Sequence, residues 1–206
     1  MPNLKLTYFD IHGGRAEPAR LAMHIGGVAF EDHRISFREF GAGRSSYPFK
    51  RVPVLQIDDV VLSQCNSITR YVGTLAGLYP TDPLEAAFCD EAMDAVEDIV
   101  SKQVATMFIK DEDEKKAARE ALADGPLAIY LHELQAMLET RGGEYFADGR
   151  LTIADLKVMV CVRSLRSGIL DHVPADLPDK LAPRLVAHLE RVEGDPRVQA
   201  YYARFT

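Results

Sequence analysis

The first 78 residues contain short stretches that alternate between apolar and polar positions, separated by stretches with the three-to-four-residue spacing of amphipathic helices. The alternating stretches predict strands over Leu4–Tyr8, Phe30–Ile35, Val54–Ile57 and Val60–Leu62. The helical spacing predicts helices over Glu17–Ile25 and Asn66–Leu75. Two aspartates between the last two strands indicate a hairpin. The predicted order is therefore β-α-β followed by β-β-α.

That order is typical of thioredoxin-like α/β domains, and the pattern changes after it. Two prolines in segment 79–83 predict a break in regular structure. Beyond the break we find helical spacing and no convincing strand, with predicted helices over Leu84–Lys110, 113–140, Ile153–Ser167, 179–193 and 197–204. Thr152 and Asp155 predict a capping box. We therefore predict a thioredoxin-like domain over residues 1–78, a linker over 79–83 and an all-helical domain over 84–206.

Composition and charge exclude several classes of protein. The chain has 206 residues, 47% of them hydrophobic, which suits a globular protein with a substantial core. Its net charge is −7, and the acidic excess lies in the second half, so we expect no nucleic-acid partner. No apolar run is long enough to span a bilayer, and no signal peptide is evident. Three widely spaced cysteines predict neither a disulfide framework nor a metal site, and indicate a reducing cytoplasm.

One segment, 34–51, departs from the acidic balance because its basic residues face a single acid, Glu39. The basic residues are Arg34, Arg38, Arg44, Lys50 and Arg51. Such a segment can be a solvated loop. It can also form an electropositive rim that attracts a small anion.

The first predicted strand ends on Tyr8, directly before a loop that leads to Arg15. Ligands of open α/β sheets bind at this edge. A cation at the start of a helix opposes the positive end of the helix dipole, so we expect Arg15 to face an anion. Thioredoxin-like redox enzymes carry a catalytic cysteine in this loop, but residues 11–15 include none. The pair therefore indicates a site that stabilises negative charge on a nucleophile supplied by the ligand.

Two further pairs of residues are candidates for binding an extended ligand. Val52-Pro53 opens a predicted strand, and a cis bond there would turn the backbone of Val52 outward to pair with a peptide. Gln64-Cys65 precedes a predicted helix whose N-terminus could hold a carboxylate. The simpler interpretation is that Cys65 is a small buried residue and Gln64 is merely exposed.

Tyr8, Arg15-Ala16-Glu17, Val52-Pro53-Val54-Leu55 and the run Gln64–Val72 together resemble the cytosolic glutathione S-transferases. The opening Lys-Leu-Thr-Tyr-Phe and segment 31–35 are most similar to the sigma class. The similarity extends over nearly the whole chain, and it rests on several weak motifs that occur in order and at the right spacing.

The resemblance implies roles for individual residues, with glutathione as co-substrate. Tyr8 matches the tyrosine that donates a hydrogen bond to the glutathione sulfur, and Arg15 matches a nearby cation. The implied glutathione-binding residues within one subunit are Tyr8, Phe40, Arg44, Lys50, Arg51, Val52, Pro53, Gln64 and Cys65. In a homodimer, Asp98 would also reach the glutathione bound to the other subunit. Asp98 could instead be an ordinary exposed helix carboxylate.

The resemblance also places the second substrate, a hydrophobic electrophilic small molecule, beside the helix that contains Asp98. Val104, Met107 and Phe108 could form an apolar wall there, or could simply pack as helix core. Phe49 is a candidate contact of the dimer interface, with packing inside its own domain as the alternative. We expect no membrane partner.

Three positions depart from the family pattern. Cys65 stands where serine is usual; a thiol is a weaker donor, and its place at a helix N-terminus predicts a lowered pKa that would favour mixed disulfides. An extra residue precedes Arg15, so its position relative to the sulfur could shift. Phe40 replaces a tryptophan and lacks the indole N–H.

The predicted function is conjugation of glutathione to electrophiles, as in detoxification, with Tyr8 stabilising the thiolate. One alternative is an isomerase or peroxidase that uses the same glutathione site. Another is a non-catalytic relative, such as a lens crystallin or a carrier of apolar anions, although the retained Tyr8, Gln64 and Val52-Pro53 disfavour it.

Overall fold

The structure is a computed structural model that describes residues 2–205. The first part of the chain forms a four-stranded sheet flanked by helices. The strands are β1 (Leu4–Phe9), β2 (Glu31–Ile35), β3 (Val54–Ile57) and β4 (Val60–Ser63), and the helices are α1 (Glu17–Ile25), α2 (Phe37–Gly43) and α3 (Cys65–Leu75). Two short 3-10 turns, Arg44–Ser46 and Pro48–Lys50, connect α2 to β3.

The sheet has the strand order β2-β1-β3-β4 and mixes both pairing modes. β1 runs parallel to β2, with Tyr8 opposite Arg34, and antiparallel to β3, with Leu6 opposite Leu55. Leu6 and Leu55 are completely buried, as expected for central strands covered on both faces. This topology places the end of β1, and therefore Tyr8, at the middle of one sheet edge.

The second part of the chain is helical. Its helices are α4 (Pro83–Thr106), α5 (Glu112–Leu122), α6 (Ala128–Thr140), α7 (Ile153–Arg166), α8 (Leu177–Leu181), α9 (Pro183–Glu193) and α10 (Pro196–Tyr202). Among the described residues, no helix is both long enough and apolar enough to cross a membrane. The sheet domain and the helical bundle confirm the predicted fold class.

Helix α7 lies at the centre of the helical part, and its first ten residues are buried. The predicted capping box is present: the Thr152 amide and hydroxyl both donate to Asp155 Oδ2, at 2.7 and 2.8 Å. Asp155 Oδ1 also accepts the Phe146 amide and contacts His188 Nε2, each at 2.9 Å. These bonds fix the start of α7 and the direction in which its side chains point.

The two parts of the chain pack directly on each other. The Ile153 amide donates to the Leu78 carbonyl at 3.0 Å. Gly73 in α3 approaches α7 so closely that an added Cβ would lie 2.7 Å from Ile153 Cγ2. Residues from both parts can therefore share one site. The exact domain bounds at 79–83 stay a prediction.

Four predicted stretches differ from the structure. The helix predicted over 179–193 is divided at Ala182 into α8 and α9. The segment interpreted as a basic loop contains α2, which begins at a capping box formed by Ser36 and Glu39. Helix α4 ends at Thr106, so the predicted helix end at Lys110 is wrong. The predicted helix 113–140 is interrupted by a wider π-helical turn, Ala123–Leu127, because Pro126 has no N–H for regular α-helical bonding.

Candidate active site

Tyr8 lies at the end of β1 with its ring buried and its hydroxyl at the loop that follows. The hydroxyl oxygen accepts the Arg15 amide N–H at 3.2 Å. Gly14 has a φ of +69°, and an added Cβ there would lie 2.8 Å from the Tyr8 hydroxyl oxygen. Glycine is therefore required twice at this position, for the backbone conformation and for the space around the phenol.

The environment of Tyr8 keeps the phenol protonated. Burial raises the pKa of Tyr8, while the Arg15 amide and the Arg15 charge lower it in part. Since the hydroxyl oxygen already accepts one hydrogen bond, Tyr8 can donate its phenolic O–H to a ligand. At neutral pH Tyr8 is thus a hydrogen-bond donor and not a base.

The structure corrects the expected position of Arg15. Helix α1 begins at Glu17 with Ala16 as its N-cap, so Arg15 precedes the helix and does not lie in its first turn. Its side chain crosses to α4, where Nε donates to Glu97 Oε1 at 2.6 Å and Nη2 donates to Ser101 Oγ at 3.4 Å. The anion that Arg15 faces is therefore a carboxylate of this chain.

Gln64 and Cys65 lie at the start of α3 and behave differently. Gln64 is exposed and is the N-cap, with a φ of +74°. A glutamine adopts that conformation only at a cost of about 1–3 kcal/mol, which is typical of residues held at functional sites. Cys65 is buried, and its thiol donates to Glu97 Oε2 at 3.0 Å.

The expectation of a lowered pKa for Cys65 is wrong. Burial raises the pKa of the thiol to about 11, and the nearby Glu97 adds to this effect while Lys157 opposes it. Desolvation outweighs the benefit of a helix N-terminus because the thiol points inward toward a carboxylate. Cys65 is therefore a protonated structural thiol at neutral pH.

The basic candidates of segment 40–51 are exposed, and the aromatic candidate Phe40 beside them is half-buried. Phe40 packs edge-on against Phe9, with 5.2 Å between ring centroids, and the Arg44 guanidinium lies 5.8 Å from the Phe40 ring centroid. Arg44 Nε donates to the Lys50 carbonyl at 3.1 Å. Lys50 and Arg51 are exposed. The structure thus brings Phe40, Arg44 and Lys50 together.

The remaining candidates for binding glutathione or a partner subunit are placed as follows. The Val52–Pro53 peptide bond is cis and leads into β3. Asp98 is exposed on α4, and its Oδ2 accepts the Tyr130 hydroxyl at 2.9 Å, so it lies apart from the Glu97 contacts. Phe49 is 72% exposed.

The three residues proposed as an apolar wall are not helix core. Val104 is half-buried in the last turns of α4. Met107 and Phe108 follow the helix and are 55% and 78% exposed. The alternative of helix packing is therefore wrong for Met107 and Phe108.

Two polar residues that the sequence analysis did not select lie at the centre of the site. Glu97 contacts both Arg15 and Cys65. Lys157 on α7 is buried, and its Nζ donates to Glu97 Oε2 at 3.1 Å and to Cys65 Sγ at 3.6 Å. A signal for Lys157 exists in the sequence, because it is a single lysine in the apolar run Ile153–Val162.

Comparison with known proteins gives matches over both parts of the chain. Residues 4–74 match the family described as "Glutathione S-transferase, N-terminal domain", and residues 97–204 match "Glutathione S-transferase, C-terminal domain". The chain is 33% identical over 201 residues to "Hematopoietic prostaglandin D synthase" of Gallus gallus, covering 98% of this chain and 96% of that protein.

Two further relatives agree with these matches. "Glutathione S-transferase 1" of Ascaris suum is 32% identical over 208 residues, covering 98% of this chain and 97% of that protein. The solved structure of prostaglandin synthase D of Nilaparvata lugens superposes with a TM-score of 0.87 at 28% identity, covering 100% of this chain and 99% of that one. The chain belongs to the glutathione S-transferase family.

Proposed function

We propose that the protein is a glutathione transferase that conjugates glutathione to electrophilic small molecules. The observation that carries the proposal is the Tyr8 hydroxyl, which is held by the Arg15 amide at the sheet edge and kept protonated by burial. The fit to glutathione is supported by Gly14, where a side chain would fill the space beside that hydroxyl.

The chemical need is to ionise a thiol. A free thiol has a pKa near ~8.5, so only a few per cent is thiolate at neutral pH. A hydrogen bond donated by the Tyr8 hydroxyl to the sulfur favours the anion, while the thiol proton is released to solvent. Each unit of pKa lowering requires about 1.4 kcal/mol. One charge-assisted hydrogen bond supplies about 1.5–3 kcal/mol. The sulfur then forms a bond to the electrophilic carbon, and the leaving group departs with the electron pair of the bond that breaks.

The other candidates would hold the rest of the tripeptide. The exposed N-terminus of α3 at Gln64 suits the γ-glutamyl carboxylate, and the backbone of Val52 beside Pro53 suits pairing with the cysteinyl residue. The exposed cations suit the glycyl carboxylate beside the Phe40 ring. These cations are Arg44, Lys50 and Arg51. With its thiol donating to Glu97, Cys65 contributes to the γ-glutamyl position through its backbone N–H.

The assembly and the second substrate extend the proposal. We place the electrophile against Val104, Met107 and Phe108, whose exposed apolar surface is available to a hydrophobic molecule. A homodimer, with Phe49 at the interface and Asp98 reaching the glutathione of the other subunit, is supported by the exposure of both side chains. A cytoplasmic location follows from the family resemblance.

A kinetic comparison of Tyr8→Phe with the native protein tests this function, using glutathione and chlorodinitrobenzene. We expect kcat to fall at least tenfold while the affinity for glutathione changes little, because the hydroxyl acts on the sulfur and the other contacts remain. Tyr145→Phe, a change in the helical part, is the matched control and should retain full kcat. Equal kcat for Tyr8→Phe and the native protein rejects the assigned role.

A second candidate function, glutathione-dependent isomerisation, is favoured by the similarity to proteins named prostaglandin D synthase. The same thiolate would then add to its substrate and leave again after rearrangement. A product screen with isomerisable substrates and hydroperoxides distinguishes this reaction from conjugation, because only conjugation consumes glutathione into a thioether.

A further inference from the structure

Lys157 is a buried cation in α7, whose first ten residues are all buried and, apart from Lys157 and the capping residue Asp155, apolar. Only 4% of the residue is exposed, and its neighbours Leu156 and Val158 are completely buried. Burying an ammonium group without a partner is costly, so we expect the contacts of Nζ to include an anion. Its Nζ donates to Glu97 on α4 and to Asn66 and Cys65 on α3.

Glu97 is shared between two cations, one on each carboxylate oxygen. Oε1 accepts from Arg15 at 2.6 Å and Oε2 accepts from Lys157 at 3.1 Å. Burial, the largest influence, opposes ionisation of Glu97, but Lys157, the Cys65 thiol and Arg15 together lower its pKa. Glu97 is therefore ionised, and the three groups carry one net positive charge.

The net charge would be different without Lys157. The charges of Arg15 and Glu97 alone would cancel, so Arg15 would exert only a weak electrostatic field on the glutathione sulfur. Two other titratable groups near Lys157 add little to this balance. Asp94, which contacts Asn66, is 64% exposed and is also paired with Arg70. Cys161, on the same helix as Lys157, is a neutral buried thiol.

We propose that Lys157 is a positioning residue for the glutathione reaction. By pairing with the carboxylate oxygen of Glu97 that Arg15 does not contact, Lys157 neutralises Glu97 and leaves net positive charge at Arg15. This inference rests on the proposed function. The Arg15 side chain carries this charge where it contacts α4, and its field acts on the Tyr8 hydroxyl and on Cys65 at the start of α3. It favours ionisation of the bound thiol and retention of the γ-glutamyl carboxylate.

The proposal separates charge from hydrogen bonding, so two single variants are needed. Lys157→Met removes both the charge and the donated bonds, whereas Lys157→Gln removes the charge and can still donate to Glu97. If charge matters, both variants raise the pKa of the bound glutathione thiol by about half a unit or more. If only packing or hydrogen bonding matters, Lys157→Gln leaves that pKa at the native value.

A double variant tests the charge balance directly. Lys157→Met combined with Glu97→Gln removes one positive and one negative charge, which restores the net charge of the cluster. We expect its bound-thiol pKa to return toward the native value, which a structural role for Lys157 does not predict. Lys180→Met, which removes an exposed lysine paired with Asp176, is the control for overall charge.

The measurement is the thiolate absorbance of bound glutathione as a function of pH, with circular dichroism to verify folding of each variant. A raised thiol pKa in Lys157→Gln, and its reversal in the double variant, support the proposal. A native thiol pKa in a folded Lys157→Gln, or a double variant no lower than Lys157→Met, overturns it. If the native protein itself does not lower the thiol pKa, the proposed function fails as well, so the two failures are distinguishable.

Discussion

At one end of the proposed site the polar groups are buried or half-buried and bonded to one another, whereas at the other end the charged side chains are exposed. We call the first the Tyr8 end (Tyr8, Arg15, Cys65, Glu97 and Lys157) and the second the Arg44 end (Phe40, Arg44, Lys50 and Arg51). Arg15 and Glu97 are 23% and 27% exposed in their side chains and form a 2.6 Å ion pair. Arg44, in contrast, donates a hydrogen bond to the backbone carbonyl of Lys50.

The two ends differ in how firmly the fold holds their side chains in place. Charged groups in a partly buried network interact strongly and are held in place, while exposed charges are screened and mobile. Chemistry at the sulfur needs fixed donors, because a small displacement of the phenol removes its effect. Recognition of a flexible carboxylate needs only a field of the right sign. We therefore expect changes at the Tyr8 end to affect kcat and changes at the Arg44 end to affect KM.

The largest effect is expected for Gly14→Ala at the Tyr8 end. The added Cβ would meet the Tyr8 hydroxyl at 2.8 Å, and the backbone φ of +69° is unfavourable for alanine. We expect a loss of about 1–3 kcal/mol of stability and a fall of more than tenfold in turnover per folded molecule. Urea unfolding and steady-state kinetics measure the two quantities.

The matched control for that change is Gly13→Ala, the neighbouring glycine. It also has a positive φ, +118°, but an added Cβ there meets nothing within 4 Å. This variant should lose stability and retain its turnover per folded molecule. Equal turnover in the two alanine variants would show that the space at Gly14 does not position Tyr8.

A smaller effect is expected for Arg44→Gln at the Arg44 end. Exposed ion pairs contribute about 0–1 kcal/mol, so KM for glutathione should rise only about threefold and kcat should not change. The difference from the native protein should shrink at high salt. Arg38→Gln, a basic residue in α2 outside the proposed site, is the control. A fall in kcat for Arg44→Gln would remove the contrast between the two ends.

The smallest effect concerns Cys65, whose thiol we expect to be inert. With its pKa raised to about 11 by burial, the native thiol should not react with a disulfide reagent at pH 7.5. Because the folded state prefers the protonated thiol, its contribution to stability is lost as pH rises from about 8.5 toward the folded value. Thiol titration in buffer and in denaturant checks this, and rapid labelling of native Cys65 contradicts it.

Local signals in the sequence predict local structure well. Helix α1 has the predicted bounds because a proline in its first turn and two glycines after its end mark both termini. The α2 capping box is also visible in the sequence, as Ser36 and Glu39, but no apolar spacing accompanies it, so the segment resembles a loop. Family membership was predicted correctly because the motifs are spread along nearly the whole chain.

The polar contacts between the two parts of the chain could not be predicted in this way. Lys157 meets Glu97 across 60 residues of sequence, and that contact depends on how α7 packs on α4. The anion expected to face Arg15 was taken to be a ligand, because nothing local identifies Glu97. Similarly, the pKa of Cys65 was predicted in the wrong direction because burial, a tertiary property, dominates its environment.

The most direct test of the account is the pKa of the glutathione thiol when bound to the native protein and to Tyr8→Phe. Thiolate absorbance followed by stopped flow across pH gives both values, at glutathione concentrations that saturate each protein. The account predicts a bound thiol pKa well below ~8.5 for the native protein and a value at least one unit higher for Tyr8→Phe. The same pKa in both proteins would contradict it.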